Sequence, residues 1–353
     1  MEKVLVGMSG GVDSAVAAYL LKEQGYDVIG VTLRTWLSES GENRCCEIDD
    51  ARRICYSLKI PYYPLNCAAV FKETVIDPFI DAYLAGKTPN PCVECNRYVK
   101  WDRLLYYARV FGADWIATGH YANVVRLDNG RYTVRKAKDS EKDQTYMLYK
   151  LTQEQLSRTL LPLGNLFKAE VREIAEKAGL RVAKKPDSQD ICFVTDGDYA
   201  DYIRAHTAGD IPGEGNFTDE RGNVLGRHRG IIHYTVGQRK GLGVAYGCPL
   251  YVKRIDPARN EVVLAGREAV NVREISCKRL HFLSIDAPKA GTAIPSSVKV
   301  RYHQKPQKAE LRITGGDSAS VFFDTAVRLP APGQSAVFYD DNDCVIGGGI
   351  IDS

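Results

Sequence analysis

Near its start the chain contains the run VLVGMSGGVDSAVAAYLL, in which an apolar segment, a glycine- and serine-rich turn and an amphipathic segment follow one another. This order predicts a buried β-strand, a tight loop over residues 7–14 and a helix that begins at the loop. Glycines let backbone N–H groups turn inward and a helix N-terminus carries partial positive charge, so the loop is suited to bind an anion such as phosphate. The alternative is a strand-to-helix turn that serine and aspartate cap, with no ligand.

The loop differs from the two common phosphate-binding motifs. It lacks the GK[ST] ending of a Walker A loop, and it lacks the GxGxxG of dinucleotide-binding proteins. The run SGGVDS instead resembles the pyrophosphate loop of the N-type ATP pyrophosphatases, which cleave ATP between its α and β phosphates and adenylate a substrate oxygen. This resemblance implies that the chain binds ATP, that the loop holds the leaving pyrophosphate, and that Asp13 helps to position Mg²⁺.

The rest of the chain divides into two parts with different sequence patterns. Up to about residue 202, short apolar strands such as DVIGVTL alternate with helical stretches such as DDARRICYSLK, which predicts a parallel sheet with crossover helices. Farther on, short alternating runs between glycine, proline and aspartate are typical of small all-β domains. Since 353 residues exceed what one core usually organises, we expect a Rossmann-like α/β domain over 1–202, a central β domain over 203–270 and a C-terminal β-barrel over 271–353.

Charge and composition limit the partners and the cellular compartment that we expect for the chain. The formal net charge of +3 is too small to indicate a polyanionic partner by itself, although basic residues can still gather on one face. No apolar run is long enough for a signal-peptide core or a membrane span. Ten cysteines without a secretory signal favour a reducing compartment, so we expect a cytoplasmic protein whose cysteines are core residues, nucleophiles or metal ligands.

The cysteines separate by their neighbourhoods. Five stand singly in helical or β segments and are expected to be small buried hydrophobic residues: Cys55, Cys67, Cys248, Cys277 and Cys344. Cys45 and Cys46 precede a predicted helix whose dipole would lower a thiol pKa, and a plain loop-to-helix boundary is the alternative. Cys92 and Cys95 in TPNPCVECNRY and Cys192 in KKPDSQDICFV are predicted to lie on loops, where they could share one site.

A single CxxC leaves several kinds of site open. A structural zinc site needs four ligands, and the chain has no second CxxC and no nearby CxxH. A thioredoxin-like redox pair opens a helix directly after a strand, in a fold without a pyrophosphate loop. Sulfur chemistry on an adenylated substrate remains, with or without an iron–sulfur cluster.

Eight motifs occur in order along essentially the whole chain: GMSGGVDS, TPNPxxxCN, ATGHYA, KDQTYMLY, DSQDICF, YTVGQRKGLG, VRYHQ, and PGQSAVFYD with GGGII. Together they resemble the motifs of the bacterial tRNA-specific 2-thiouridylases, a family that replaces the C2 oxygen of the wobble uridine by sulfur in certain tRNAs. The resemblance implies an adenine-nucleotide α-hydrolase-like domain, a central β domain and a β-barrel that together hold the anticodon arm of tRNA.

The resemblance also assigns roles to residues of this chain. The implied ATP-binding residues are Gly7, Met8, Ser9, Gly10, Gly11, Val12, Asp13 and Ser14, with Leu33 and Gly119 on the adenine side. Cys95 matches the nucleophile, and Cys192 matches the cysteine that receives sulfur as a persulfide from a carrier. Asn90, Pro91 and Cys92 match the stretch that touches the target uridine. The implied tRNA contacts are His120, Lys142, Asp143, Gln144, Arg301, Tyr302 and Gln334.

One position departs from the family pattern. Where the family commonly has aspartate, this chain has Cys92, so it lacks the carboxylate that an acid–base or orienting role at this position would use. Three thiolates, from Cys92, Cys95 and Cys192, could ligate a [4Fe–4S] cluster whose free iron holds a hydrosulfide. Cluster-dependent delivery therefore stands as a hypothesis beside the persulfide route, in which Cys95 attacks a persulfide on Cys192.

Two other functions are alternatives to thiolation. Synthetases that share the loop but use nitrogen nucleophiles need no paired cysteines and no β domains suited to hold tRNA. A non-catalytic RNA-binding module would explain the β half of the chain but not SGGVDS. Release of pyrophosphate from ATP only in the presence of tRNA would separate thiolation from both.

Overall fold

The computed structural model describes residues 1–35, 48–183, 185, 191–194, 198–207 and 209–353. Cys45 and Cys46 lie outside these described residues, so the prediction made for them stays a prediction. In the described ranges, no helix is both long enough and apolar enough to cross a membrane.

A five-stranded parallel sheet forms the centre of the N-terminal part. In spatial order its strands are β3 (Tyr62–Asn66), β2 (Asp27–Arg34), β1 (Lys3–Gly7), β4 (Trp115–Ala117) and β7 (Thr159–Leu160). Leu5 at the centre of β1 pairs with Ile29 on one side and Ile116 on the other. The predicted parallel sheet is confirmed.

Helices pack on both faces of this sheet. Their bounds are α1 (Val12–Glu23), α2 (Ile48–Ser57), α3 (Ala68–Phe71), α4 (Asp77–Leu84), α5 (Pro91–Glu94), α6 (Asp102–Phe111), α7 (Gln153–Ser157), α8 (Lys168–Lys177) and α9 (Tyr199–His206). Alternate side chains of β1 point to opposite faces. Leu5 therefore joins a core that includes α6, whereas Val4 and Val6 join a second core beneath α1 and α8.

Two of the helical runs contain wider, π-type turns. Lys72–Ile76 joins α3 to α4, and Cys95–Trp101 joins α5 to α6. Such turns are uncommon and often occur at functional sites. The second of them begins at Cys95, the predicted nucleophile. Cys95 is therefore part of one helical run over residues 91–111, which packs towards the sheet.

The later part of the chain is built of β-strands, as predicted. The central sheet has the order β10 (Tyr251–Asp256), β11 (Glu261–Ala265), β8 (Gly215–Thr218) and β9 (Val224–His228). The C-terminal strands β12 (Asn271–Phe282), β15 (Ser318–Arg328), β14 (Gln307–Gly315), β13 (Ala293–Lys299), β16 (Ser335–Tyr339) and β17 (Val345–Ile351) close into a barrel in that order. The expected division after residue 202 falls inside α9, and that after residue 270 falls where β12 begins.

A hairpin of the N-terminal part docks on the barrel. It consists of β5 (Asn123–Arg126) and β6 (Tyr132–Arg135), and a 3₁₀ turn over Thr145–Met147 follows it. The Thr133 hydroxyl donates a hydrogen bond to the Val345 carbonyl at 2.6 Å. The barrel is thereby held against the domain that carries the phosphate loop.

One of the five cysteines expected in the core is not there. Cys55, Cys67, Cys277 and Cys344 are buried, and burial raises the pKa of Cys55 and Cys277 to about 12. Cys248 is exposed, so its prediction was wrong: it lies in the glycine-rich connection before β10, not in a strand that faces a core.

Candidate active site

The phosphate loop joins β1 to α1 through residues 8–11. Gly10 adopts a left-handed backbone conformation (φ +75°), which glycine tolerates and other residues rarely adopt. The Ser14 hydroxyl accepts a hydrogen bond from Ser9 N at 3.2 Å and donates one to the Gly11 carbonyl at 3.1 Å. In the described structure no side chain caps this 12-residue helix at Gly11. The amides of its first turn are therefore suited to phosphate oxygens.

Three of the expected ATP-binding residues support the loop from below. Gly7 ends β1 opposite Val31, and the Met8 amide donates to the Val31 carbonyl at 2.7 Å. The Met8 carbonyl accepts from the Thr32 hydroxyl at 2.7 Å. The side chains of Met8 and Val12 are buried in the core. These residues shape the loop, and their contribution to ATP binding stays a prediction.

Asp13, in the first turn of α1, is held by two partners from distant parts of the chain. Lys168 Nζ lies 2.7 and 2.8 Å from the two carboxylate oxygens, and the Tyr121 hydroxyl donates to Oδ1 at 2.7 Å. The Lys168 side chain is only 11% exposed, so water screens this ion pair weakly. The phosphate loop therefore has a strongly held carboxylate and a strongly held ammonium side by side.

Sequence reasoning missed Lys168. It begins α8, where a lysine of an amphipathic helix would ordinarily be solvated, and only the packing of α8 against α1 brings it to the loop. A second lysine, Lys185, also reaches the loop, with Nζ 3.4 Å from the Gly10 carbonyl and 3.1 Å from Asp50 Oδ2. Tyr121 lies inside the motif ATGHYA and could have been identified from it.

Gly119 lies directly against the first turn of α1. A Cβ atom at this position would be 2.6 Å from the Asp13 carbonyl carbon and 2.7 Å from Ser14 N. Leu33, near the end of β2, and Gly119, just beyond β4, flank the loop that follows β1. Ligands of open parallel sheets bind at this carboxyl edge. The predicted nucleotide residues are thus brought to one edge of the sheet.

We expect Gly119→Ala to weaken ATP binding by at least about tenfold, because a methyl group would displace the backbone of the phosphate loop. Titration calorimetry with a non-hydrolysable ATP analogue measures the affinity. Gly266→Ala is the matched control, since a Cβ there meets no atom within 4 Å. A folded Gly119→Ala protein with wild-type affinity would contradict this account of the loop.

His120 connects the phosphate loop to the cysteine-bearing helical run. Its Nδ1 is 2.8 Å from the Thr118 hydroxyl, and its ring centroid lies 5.2 Å from that of Trp101. Burial, together with the charge of Lys100, lowers the pKa of His120 well below its usual value, so the ring is neutral at pH 7. The π-type turn that ends at Trp101 begins at Cys95, about 9 Å away along a helix axis.

The CxxC pair lies on a helical run and not on a loop, so that prediction was wrong. Asn90 precedes α5 and Pro91 is its first residue, a position that proline favours because its missing N–H needs no partner there. Cys92 is exposed in this first turn, whereas Cys95, one turn later, is 8% exposed and packs in the core. The prolines start a helix that places the two thiols in different environments.

Cys192 lies in a turn and is partly exposed, as its polar neighbourhood predicted. The next residue, Phe193, anchors the turn: its buried ring meets Phe71 at 5.6 Å and Phe79 at 5.2 Å, edge to face in both cases. Burial raises the pKa of Tyr202 to about 12, and the nearby Cys192 contributes to the same shift. Cys192 therefore faces α9.

The three candidate ligands of an iron–sulfur cluster have different neighbours. Burial raises the pKa of Tyr302 to about 12, and the charge of Asp143 and the nearby Cys92 contribute to the same shift. Cys92 therefore lies near Tyr302, beside the barrel. Within the described ranges, no three His, Cys, Asp or Glu side chains are grouped so that they could hold a metal ion. A [4Fe–4S] cluster on Cys92, Cys95 and Cys192 therefore stays a hypothesis.

The TPNP loop in front of Cys92 is held by both β domains. Thr88 N donates to the Pro332 carbonyl at 2.8 Å, and Gln334 Nε2 donates to the carbonyls of Thr88 at 3.0 Å and Pro89 at 3.2 Å. The Thr88 hydroxyl also donates to that of Thr235 in the central domain, at 3.3 Å. Three domains therefore meet at Thr88, and Gln334, a predicted tRNA contact, holds this loop.

The predicted tRNA-binding run 142–144 is turned partly inward. Asp143 is buried, with Oδ1 accepting from Ala137 N at 3.1 Å and Oδ2 from the Thr145 hydroxyl at 2.8 Å. Gln144 Oε1 accepts from Tyr121 N at 2.9 Å, and Lys142 is partly exposed. Asp143 and Gln144 thus order the chain behind Tyr121, and a contact of either with tRNA stays a prediction.

The predicted barrel residues lie at the junction with the N-terminal part. Arg301 Nη2 donates to the Leu329 carbonyl at 3.2 Å, and burial lowers the pKa of Arg301. The Tyr302 ring lies 6.1 Å from that of Tyr146. Both predicted residues are partly exposed and close to the cysteine run, and their contact with tRNA stays a prediction.

Family models and known relatives match almost the whole chain. A model described as tRNA methyl transferase HUP domain matches residues 2–196, one described as tRNA methyl transferase PRC-barrel domain matches 200–266, and one described as aminomethyltransferase beta-barrel domain matches 272–351. The tRNA-specific 2-thiouridylase MnmA of Lachnoclostridium phytofermentans is 51% identical, with 99% of each chain covered. That of Clostridioides difficile is 50% identical, with 99% of this chain and 98% of the relative covered.

Proposed function

This chain belongs to the tRNA-specific 2-thiouridylase family, and from that premise we propose how its residues thiolate C2 of the wobble uridine in tRNA with ATP as the activating substrate. The observation that carries the proposal is the phosphate loop with Asp13 and Lys168 at the N-terminus of α1. Adenylation turns the C2 oxygen, a poor leaving group, into part of AMP. The reaction then needs a sulfur nucleophile.

In the first step, O2 of the uridine attacks the α-phosphorus of ATP, and the bond from that phosphorus to the β-phosphate oxygen breaks. Pyrophosphate leaves with the electron pair, so negative charge builds up on it. The amides of residues 9–14 and the ammonium of Lys168 stabilise that charge. Mg²⁺ would be held by Asp13 together with phosphate oxygens, and it would neutralise part of the leaving group's charge.

In the second step, the terminal sulfur of a Cys192 persulfide attacks C2, and AMP leaves with the former uridine oxygen. The Cys95 thiolate then attacks Sγ of Cys192, which breaks the S–S bond and releases 2-thiouridine. Cys95 and Cys192 form a disulfide, and a dithiol from outside the chain reduces it. Cys95 belongs to the buried core that contains Phe193, and Cys192 packs against that core.

We favour the persulfide route over the cluster route. The support is the different surroundings of Cys92, which faces the barrel, and Cys192, which faces α9. The sulfur carrier that loads Cys192 lies outside this chain.

The function is tested by mixing the protein with ATP and an unmodified tRNA. We expect pyrophosphate release that depends on tRNA and falls to background when the wobble uridine is replaced by cytidine. Release without RNA would favour the synthetases with small nitrogen nucleophiles. Absence of release in the presence of RNA binding would favour the non-catalytic module.

We expect Gln334→Ala to lower the thiolation kcat about three- to tenfold with little change in tRNA affinity, because the TPNP loop loses two hydrogen bonds of about 1 kcal/mol each. Steady-state thiolation and RNA binding by fluorescence anisotropy separate the two parameters. Gln307→Ala, on the same barrel, is the control, since the amide of Gln307 donates to Lys305. A loss confined to tRNA affinity would instead make Gln334 a direct tRNA contact.

A further inference from the structure

A lysine is buried where the barrel meets the N-terminal domain. Lys299 is the last residue of β13 and is 9% exposed. Its Nζ lies 5.3 Å from the ring centroid of Tyr302 and 5.9 Å from that of Tyr146. In the part of the chain that the structure describes, this ammonium makes no hydrogen bond and no ion pair. None of the predicted roles includes it.

An ammonium in this position is costly to retain. Burial disfavours its charged form and lowers the pKa of Lys299, and two tyrosine rings compensate only in part for the lost hydration. The charge of Asp143 acts against this lowering, because its hydrogen-bond donors, Ala137 N and the Thr145 hydroxyl, are neutral and leave the carboxylate charged. Among the described residues, the protein thus keeps this ammonium near the charge of Asp143 but without a carboxylate in direct contact with it.

The two rings connect Lys299 to the stretch proposed to touch the target uridine. Tyr146 donates its hydroxyl proton to the Ser335 carbonyl at 2.8 Å, and Asn90 Nδ2 donates to Sδ of the adjacent Met147 at 3.7 Å. Tyr302 lies near Cys92. Lys299 is therefore linked to Asn90 through Tyr146 and its neighbour Met147, and to Cys92 through Tyr302.

We propose that Lys299 binds a backbone phosphate beside the target uridine when the anticodon loop enters this junction. A lysine has three donors and no acceptor, so it suits an anion and cannot by itself distinguish one base from another. The Tyr146 and Tyr302 rings restrict the position of the ammonium, so the phosphate it binds would set the register of the RNA. This inference rests on the proposed function, because tRNA supplies the anion.

The test compares wild type, Lys299→Met and Lys299→Arg in binding an unmodified anticodon stem-loop RNA over about 50 to about 200 mM KCl. We expect Lys299→Met to weaken binding about three- to tenfold at the low-salt end, and to make the slope of log K against log salt shallower by about 0.7 to 0.9, the value for one phosphate contact. Lys299→Arg keeps the charge and is expected to keep the slope.

The matched control is Lys308→Met on β14, where the lysine is exposed and paired with Asp341 at 2.7 Å; its slope should equal that of wild type. An unchanged slope for folded Lys299→Met would overturn the inference and leave the function intact. A wild type that does not bind the RNA would contradict the proposed function. Inorganic phosphate is titrated separately at constant ionic strength, and thermal stabilisation of wild type but not Lys299→Met, with an unchanged RNA slope, would assign the site to a free anion and overturn the inference.

If Lys299→Met does not fold, Lys299→Gln replaces it, and thermal unfolding is measured for every variant. The glutamine side chain keeps hydrogen-bonding capacity and removes the charge. The expected change in slope is the same, since the slope counts charge neutralised at the RNA backbone. A glutamine variant with the wild-type slope would overturn the inference as well.

Discussion

Replacement of Cys95 by serine is expected to lower tRNA thiolation by at least about a thousandfold and to leave tRNA-dependent pyrophosphate release near the wild-type rate. The reason is the order of the two steps: adenylation needs the phosphate loop, whereas Cys95 acts only afterwards, on the persulfide of Cys192. Serine is nearly isosteric with cysteine, so the buried position keeps its shape, but an alcohol is a poor nucleophile towards sulfur. Thiolated tRNA is measured by its retarded migration in a gel that contains a mercury reagent.

Cys192→Ser is expected to lose thiolation to the same extent, and the double variant should be no worse than either single variant, because the two thiols act as one unit. Cys248→Ser is the matched control, since that thiol is exposed and has no part in the proposed chemistry. Thiolation that survives in Cys95→Ser would contradict the persulfide mechanism. Iron that co-purifies with wild type and is lost in Cys92→Ser together with activity would instead favour the cluster route.

Lys168→Met is expected to lower tRNA-dependent pyrophosphate release by about 10² to 10³-fold. Removal of the ammonium takes away a charge that stabilises the leaving pyrophosphate, and it leaves Asp13 as an uncompensated negative charge beside the ATP phosphates. Both effects act on the same step. The measurement is single-turnover pyrophosphate release at saturating tRNA, with ATP affinity determined separately.

Lys177→Met, at the other end of α8, is the control, because that side chain is 80% exposed and its pair with Glu173 is long, at 3.9 Å. Asp13→Asn combined with Lys168→Met separates the two effects. The double variant should regain ATP affinity, since the local charge is balanced again, but not the rate of pyrophosphate release. Near wild-type release in Lys168→Met would show that the lysine only compensates Asp13 in the resting protein.

The phosphate loop was predictable because its physical requirements are local. A buried strand, a turn that needs the left-handed conformation at Gly10, and a helix whose first turn carries Asp13 and Ser14 all lie within 18 consecutive residues of the printed sequence. The two sequence patterns of the chain likewise predicted the parallel sheet and the β domains. The periodicity of apolar residues is a property of each single strand or helix, so it can be recognised without the rest of the fold.

The predictions that failed concern residues whose environment is set by distant segments. Cys92 and Cys95 were expected on a loop because prolines precede them, but Pro91 starts a helix and Cys95 turns into the core. Cys248 was expected in a core because it stands singly in a predicted β segment, but it is exposed in the connection before β10.

By itself the sequence determined the chemistry that the chain can attempt: a phosphate loop, sulfur-bearing cysteines and β domains suited to RNA. The tertiary structure decided which polar and charged side chains lie at the proposed site. It brings Lys168 of α8 to Asp13 across 155 positions of chain, holds Gln334 of the barrel against the TPNP loop, and leaves Lys299 between two rings. Lysines and glutamines carry no local signal of such roles, because on any helix or strand they are ordinarily solvated; only packing against a distant segment fixes the partner and removes the water.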